Sequence, residues 1–357
     1  MTLVDTLIRE PIRALSAYHV PDSRGLIKLD AMENPYRWPE PVVEDWLNEL
    51  RSAAVNRYPD PAALTLKQRL QSAFGIPVGM EVLLGNGSDE LIQIIAQAVA
   101  TPERTVLAPE PGFVMYRMIA AFTGMNYVGV PLNAADFSLD RQAMLEAIER
   151  HQPALIFLAY PNNPTGNLFD DELIGEILHN APGLVVIDEA YTPFAGVSWM
   201  DRLTEFDNLL VMRTVSKLGL AGLRLGFVAG APQWIGQFDK LRLPYNINVL
   251  TQISADFALR HYPVLTEQVD RICEDRAGLT EALMALQGIT IYPSAANFIL
   301  FRTPEGTAGA IFEGLKQRGI LIKSLTGGHP LLKDCLRVTV GTPDENRAFV
   351  DTLAALL

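Results

Sequence analysis

The chain has 357 residues, 49% of them hydrophobic and 20% charged, and its 29 Lys+Arg against 41 Asp+Glu give a net charge of −12. This is an ordinary globular mixture, and it excludes a broadly basic surface built to grip nucleic acid or an anionic membrane. A small cationic pocket for a small anion remains compatible with it.

In chain order, the first stretch of about 30 residues lacks helical periodicity and can pack against either half of the protein. Short apolar runs then alternate with amphipathic stretches. Strands are predicted at 82–84, 105–108, 126–130, 154–159, 184–188, 209–212 and 225–229, with helices at 89–100, 113–122, 139–151 and 170–179 between several of them. Continuous apolar runs separated by helices indicate an α/β fold: a mostly parallel seven-stranded sheet buried on both faces. After residue 243 the pattern changes. Longer helices are predicted at 248–260 and 263–286, then short strands at 289–292, 298–301, 320–322 and 335–340 with a helix at 308–318, an α+β pattern. The expected organisation is an N-terminal segment (1–33) packing with a small domain, a large domain (34–245) and that small domain (246–357).

Cys273 and Cys335 make neither a disulfide framework nor a four-Cys zinc site. The five histidines show no ligand spacing, so no metal is expected. No apolar run reaches membrane-spanning length and no secretory leader is visible, so a cytoplasmic protein without membrane or nucleic-acid partners is expected.

Four segments carry chemistry. Gly85-Asn-Gly-Ser-Asp-Glu90 joins a strand to an amphipathic helix. Ser88 is expected to be the N-cap, and the exposed amides of such a helix start can hold a phosphate. A capped helix with no ligand explains the segment equally well. Tyr160-Pro-Asn-Asn-Pro-Thr-Gly166 follows a buried strand, at the edge where α/β sheets bind ligands, and offers Asn162 and Asn163 as polar contacts or simply a turn. Asp188 ends the strand of Leu184-Val-Val-Ile-Asp-Glu-Ala-Tyr191, where its carboxylate could pair with a cationic ring nitrogen or cap a turn; Tyr191 can reach the same place. Lys217 lies in the nearly uncharged, glycine-rich run 213–226, where its amine is either an ordinary exposed lysine or one with a lowered pKa able to form a Schiff base. Thr214, Ser216 and Arg224 could bind an anion beside it. A phosphate nest, a ring-nitrogen acid and an amine for an aldehyde together match the needs of pyridoxal 5'-phosphate (PLP).

With these residues the sequence resembles the fold-type I PLP-dependent aminotransferases (class I/II), and within them the histidinol-phosphate aminotransferases of histidine biosynthesis. The resemblance covers nearly the whole chain. It rests on Asn34-Pro-Tyr36, Asn56-Arg-Tyr-Pro59, Gly85–Glu90, Pro161-Asn-Asn-Pro-Thr-Gly166, Asp188-Glu-Ala-Tyr191, Ser216-Lys217, Pro244-Tyr-Asn246, Ala296-Asn-Phe298 and Leu336-Arg-Val-Thr-Val-Gly-Thr342. It implies that Lys217 holds PLP through a Schiff base, that Asp188 bonds the ring nitrogen, and that Asn163 and Tyr191 bond the ring oxygen. The amides of Ser88 and Asp89, with Thr214, Ser216 and Arg224, are implied to hold the phosphate, and Phe113 to stack on the ring. Tyr58 is implied to reach the cofactor phosphate of a second subunit, in an obligate homodimer. Arg337 is implied to bind the substrate's anionic group, with Tyr18, Asn34 and Lys323 as further substrate contacts. The implied reaction transfers the amino group of histidinol phosphate to 2-oxoglutarate, leaving glutamate.

Two departures from the family pattern stand out. The loop from Lys217 to Arg224 is one residue shorter than in many relatives, and Lys323 stands where many carry arginine. The rival readings are an aromatic-amino-acid aminotransferase, a PLP-dependent threonine-phosphate decarboxylase, and a non-catalytic binder on the same fold.

Overall fold

The computed structural model describes residues 2–17 and 20–357. The chain opens with α1 (Leu3–Leu7), α2 (Glu10–Arg13) and β1 (Ile27–Lys28), followed by α3 (Glu40–Leu50) and α4 (Leu64–Ala73). Strand–helix alternation then begins: β2 (Glu81–Gly85), α5 (Ser88–Val99), β3 (Thr105–Glu110), α6 (Val114–Thr123) and β4 (Asn126–Pro131). It continues through α7 (Arg141–His151), β5 (Leu155–Ala159), α8 (Asp171–Asn180), β6 (Leu184–Asp188), β7 (Leu209–Thr214) and β8 (Gly226–Gly230).

β2 to β8 form one seven-stranded sheet in the order β2-β8-β7-β6-β5-β3-β4. Every neighbouring pair is parallel except those involving β8, which runs against both β2 and β7. Every residue of β5, β6 and β8 is buried. One core lies on each face. Leu83, Val106, Phe157 and Val186 pack on one side with α5 and α6; Leu84, Leu107, Ile156 and Ile187 pack on the other with α7 and α8. This accounts for the uninterrupted apolar runs read from the sequence.

The chain then passes α9 (Pro232–Phe238), α10 (Val249–Arg260) and the long α11 (Tyr262–Met284). A four-stranded antiparallel sheet follows, ordered β12-β13-β10-β9. Its strands are β9 (Thr290–Ile291), β10 (Phe298–Arg302), β12 (Lys323–Ser324) and β13 (Cys335–Thr339). α12 (Ala308–Gln317) and α13 (Pro343–Ala354) cover it around a separate core that includes Phe298, Phe301 and Phe349. α10 packs on α3 and α4 rather than on this sheet.

The N-terminal residues depart from expectation in having helices. α1 is closed by a capping box between Thr2 and Asp5, and α2 packs on α6. These helices are too short for an apolar period to show in the sequence. β1 pairs in parallel with β11 (Ile320–Leu321), and Thr339 donates from its amide to the Leu29 carbonyl at 2.8 Å. Residues 27–32 are thereby sewn to the second sheet and run past the end of the first.

Candidate active site

Parallel strands deliver their carboxyl ends to one edge of the sheet, and the predicted segments collect there. Ser88 and Asp89 follow β2, Phe113 follows β3, Asn163 follows β5, Asp188 ends β6, and Thr214, Ser216 and Lys217 lie at the end of β7. Arg224 comes before β8. Because β8 is antiparallel, its start lies at the same edge. β3 and β5 are neighbours although β4 lies between them in sequence, so the chain reverses direction across the sheet there. Such a reversal opens a crevice outside the strand ends. All nine residues, with Tyr191, line one cavity of about 610 Å3.

Asp188 forms its acidic wall and is 4% exposed. The Tyr116 hydroxyl donates to its Oδ2 at 2.7 Å and the Ala190 amide to its Oδ1 at 3.2 Å. Burial pushes the Asp188 carboxyl up to about 6, while those two donors pull the other way. Tyr116 is itself buried and stacked on Phe157, with ring centroids 4.6 Å apart, so its hydroxyl has little freedom to turn away.

Lys217 supplies the amine. Its Nζ donates to the Ala31 carbonyl at 3.1 Å and lies 5.6 Å from the centroid of the Tyr191 ring. Desolvation, and after it the charge of Arg337, lowers the ammonium to about 8. An amine in that range is available as a nucleophile and a base near neutrality, which an exposed lysine is not.

The anion end is built from the start of α5. The sequence placed Ser88 at the N-cap. The structure puts Gly87 there, with φ +86° and no side-chain cap bond, and Ser88 becomes the first helical residue. The physical reason is the backbone: side chains rarely adopt a φ of +86°, and Arg224 lies beside it, its Nη2 2.6 Å from where a Cβ on Gly87 would stand. The first-turn amides of α5 are therefore presented to the cavity without a capping side chain to occupy them. Thr214 Oγ1 and Ser216 Oγ lie 2.8 Å apart beside them. The shortened loop is accommodated by short 3-10 turns at Ser216–Leu218 and Ala221–Leu223 and by a left-handed Arg224 at φ +49°. Its guanidinium still reaches Asp89, Nη2 to Oδ2 at 3.6 Å.

A second cavity of about 1560 Å3 adjoins the first, sharing Met32, Phe113 and Asn163. Arg337, 6% exposed, reaches it from β13. It donates from Nη1 to Asn163 Oδ1 at 2.5 Å and from Nη2 to the Asp30 carbonyl at 3.1 Å. Asn163 Nδ2 donates in turn to the Tyr191 hydroxyl at 3.1 Å. Lys323 is the register partner of Arg337 across the β12–β13 pair and lines the same cavity, so two cations share one face.

The remaining predicted residues lie elsewhere. Asn34 lines neither cavity. Its Nδ2 donates to Gln268 Oε1 at 2.9 Å and its Oδ1 accepts from the Tyr36 amide at 2.8 Å, so it holds a turn. Tyr58 is 80% exposed, stacks on Tyr245 at 4.4 Å and lines neither of these two cavities. Tyr18 lies outside the described residues. Sequence reasoning missed Tyr116, although it lies only three residues after Phe113, in the first turn of α6. It also missed Glu110, Arg117, Tyr127 and His329, which line the larger cavity.

Among the described residues no group of three or more His, Cys, Asp or Glu could hold a metal ion, and no helix is long and apolar enough to cross a membrane. Residues 24–353 match the family model described as aminotransferase class I and II. A relative from Nitrosococcus oceani named histidinol-phosphate aminotransferase 2 is 59% identical over 348 residues, 98% of this chain and 96% of that one. A protein of the same name from Cupriavidus pinatubonensis is 55% identical over 361 residues, covering 100% and 98%. The solved histidinol-phosphate aminotransferase from Sinorhizobium meliloti, in complex with pyridoxal-5'-phosphate, is similar with a TM-score of 0.88 at 25% identity, over 98% of this chain and 97% of that one. An amine of lowered pKa, a buried carboxylate and an anion-binding helix start in one cavity agree with that match, and the chain belongs to the class I and II aminotransferase family.

Proposed function

We propose that this chain uses PLP to transfer the amino group of L-histidinol phosphate to 2-oxoglutarate, giving imidazole-acetol phosphate and L-glutamate. The observation that carries the reading is the junction of two cavities. One holds the Lys217 amine and the Asp188 carboxylate, and its neighbour holds Arg337 and Lys323. The first fits a flat cationic ring with a phosphate tail, and the second fits an anionic amine. The names of the relatives support this substrate.

The residues fit PLP because every polar group of that cofactor has a counterpart in the donor set. The Asp188 carboxylate would accept a hydrogen bond from the protonated ring nitrogen, and Asn163 and Tyr191 would bond the ring oxygen. The amides of Ser88 and Asp89, with Thr214, Ser216 and Arg224, would hold the phosphate, while Phe113 would cover one ring face. When bound, PLP supplies an aldehyde for amines and a ring that withdraws electrons from the substrate carbon. Lys217 would hold the cofactor through its aldehyde. With its amine free, Lys217 would take the proton from the substrate carbon as general base and deliver it, as general acid, to the cofactor carbon that bore the aldehyde. Arg337 grips the substrate phosphate in one half-reaction and a carboxylate of the dicarboxylate in the other, its planar fork matching both; Lys323 adds charge without a fork.

Tyr58, exposed and stacked on Tyr245, is assigned to the cofactor phosphate of a second copy, so the working form is a homodimer in the cytoplasm. The test is a half-reaction scan. Histidinol phosphate, phenylalanine, glutamate and threonine phosphate are each mixed with the PLP-loaded enzyme, and the visible absorbance of bound PLP is followed. Histidinol phosphate and glutamate should bleach it. Failure of histidinol phosphate alongside success of phenylalanine, or release of carbon dioxide from threonine phosphate, would overturn the reading.

A further inference from the structure

The larger cavity contains a carboxylate that the proposed chemistry leaves unused. Among the described residues Glu110 is the one acid in its lining, against the cations Arg117, Lys323 and Arg337. Glu110 ends β3 and its side chain lies over β4, where Gly129 leaves it a niche: a Cβ there would stand 2.3 Å from the carboxyl carbon. Glycine in a strand interior weakens the strand, and its use commonly marks a place that something must approach closely.

Arg117 of α6 clamps the carboxylate, its Nη2 donating to Oε1 at 2.6 Å and to Oε2 at 2.7 Å. The guanidinium is held in turn over the Tyr127 ring, 4.9 Å from the centroid. An Arg–Glu pair on open surface contributes little and wanders. Here the carboxylate side chain is 16% exposed and its arginine 61%, so the arginine is the outer member and the acid is fixed in the cavity wall.

We propose that Glu110 is a specificity-determining residue, accepting an N–H of the substrate's imidazole ring while Arg337 and Lys323 take its phosphate. The inference rests on histidinol phosphate being the substrate. That molecule has an anion at one end and a ring N–H donor at the other. The phosphate is repelled by Glu110 and drawn to the paired cations, so the ring is left to the carboxylate. Imidazole has an ordinary pKa of about 6.5, and its neutral and cationic forms both donate to a carboxylate. A phenyl ring in the same position has no donor and would desolvate the acid without compensation.

The experiment compares kcat/KM for histidinol phosphate and for phenylalaninol phosphate, which differ only in the ring. Glu110→Met removes the acceptor at nearly constant volume. Gly129→Ala keeps the acid but pushes it out of its niche. The wild-type preference for the imidazole substrate should fall about 10- to 100-fold in Glu110→Met, the usual effect of losing a bond to a charged acceptor, and in the same direction in Gly129→Ala. Dissociation constants measured by calorimetry in the Lys217→Ala background, where no turnover follows, should move with it. Equal losses on both substrates, or an undiminished preference in both variants, would overturn the role of Glu110 while leaving the aminotransferase reading in place. A wild-type enzyme that ignores histidinol phosphate would overturn both.

Discussion

Replacing Tyr116 with Phe removes a single oxygen and tests how the acid beside the ring nitrogen is kept ionised. The Tyr116 hydroxyl donates to Asp188 Oδ2 at 2.7 Å inside the core, and Asp188 already stands at about 6 because it is buried. A hydrogen bond to a charged group contributes about 1.5–3 kcal/mol, which corresponds to roughly 1–2 pKa units. In Tyr116→Phe the Asp188 pKa should therefore rise to about 7.5.

PLP with a protonated ring nitrogen pairs with the ionised carboxylate. Its affinity should therefore follow the ionised fraction, falling about fourfold at pH 7 and ~15-fold at pH 6, with no change above about pH 8.5. Stability of the cofactor-free chain gives an independent reading. A folded-state pKa above the unfolded value means that the stability from this group is complete below about pH 4 and is lost as pH rises through the folded pKa. In wild type that loss ends near pH 6 and is on the order of 3 kcal/mol; in the variant it should continue to about pH 7.5 and grow by ~2 kcal/mol. The assays are PLP titration by fluorescence and chemical denaturation, each across pH 5–9. An affinity ratio independent of pH, or identical stability profiles, would refute the reasoning, because a merely structural tyrosine would shift both curves without changing their slopes.

Further outcomes follow from the same geometry. Lys217→Ala should abolish turnover and the visible absorbance of bound PLP. It should also hold or raise stability at pH 7, because a buried amine whose folded pKa is lowered to about 8 costs stability whenever it is protonated. For the same reason, PLP capture by the cofactor-free wild type should quicken with rising pH and level off above about 8 in stopped-flow absorbance. Arg337→Ala leaves Asn163 Oδ1 without its 2.5 Å donor and should cost about 2–5 kcal/mol in kcat/KM for histidinol phosphate; Lys323→Ala, without a fork to lose, should cost far less. Gly87→Ala must find room beside Arg224 at φ +86°, so it should weaken PLP binding while the variant retains its fold by circular dichroism.

The apolar runs of β5 and β6 were legible in the sequence because both faces of a central parallel strand are buried, and burial leaves its mark residue by residue. The ligand edge was legible for a related reason. Turn formers and polar residues such as Asn163, Asp188 and Lys217 interrupt apolar runs at strand ends, where the backbone must leave the core. The N-cap differs because Ser is the better local choice, whereas the turn into α5 needs a φ of +86° that glycine alone adopts readily.

What the sequence by itself determined was the seven strands of the large sheet, the order of the motifs and the chemical types that meet at that sheet's edge, since all of these are written in patterns a few residues long. Only the tertiary structure decided who touches whom. Arg337 bonds Asn163 across 174 residues of chain, Tyr116 reaches Asp188 across 72, and the residue that shelters the Glu110 carboxylate is a glycine on the next strand. Contacts of that kind depend on strand order and on how α6 and the second sheet pack against the first. No local period encodes them, because they arise from how separate elements pack and not from the residues on either side of each one.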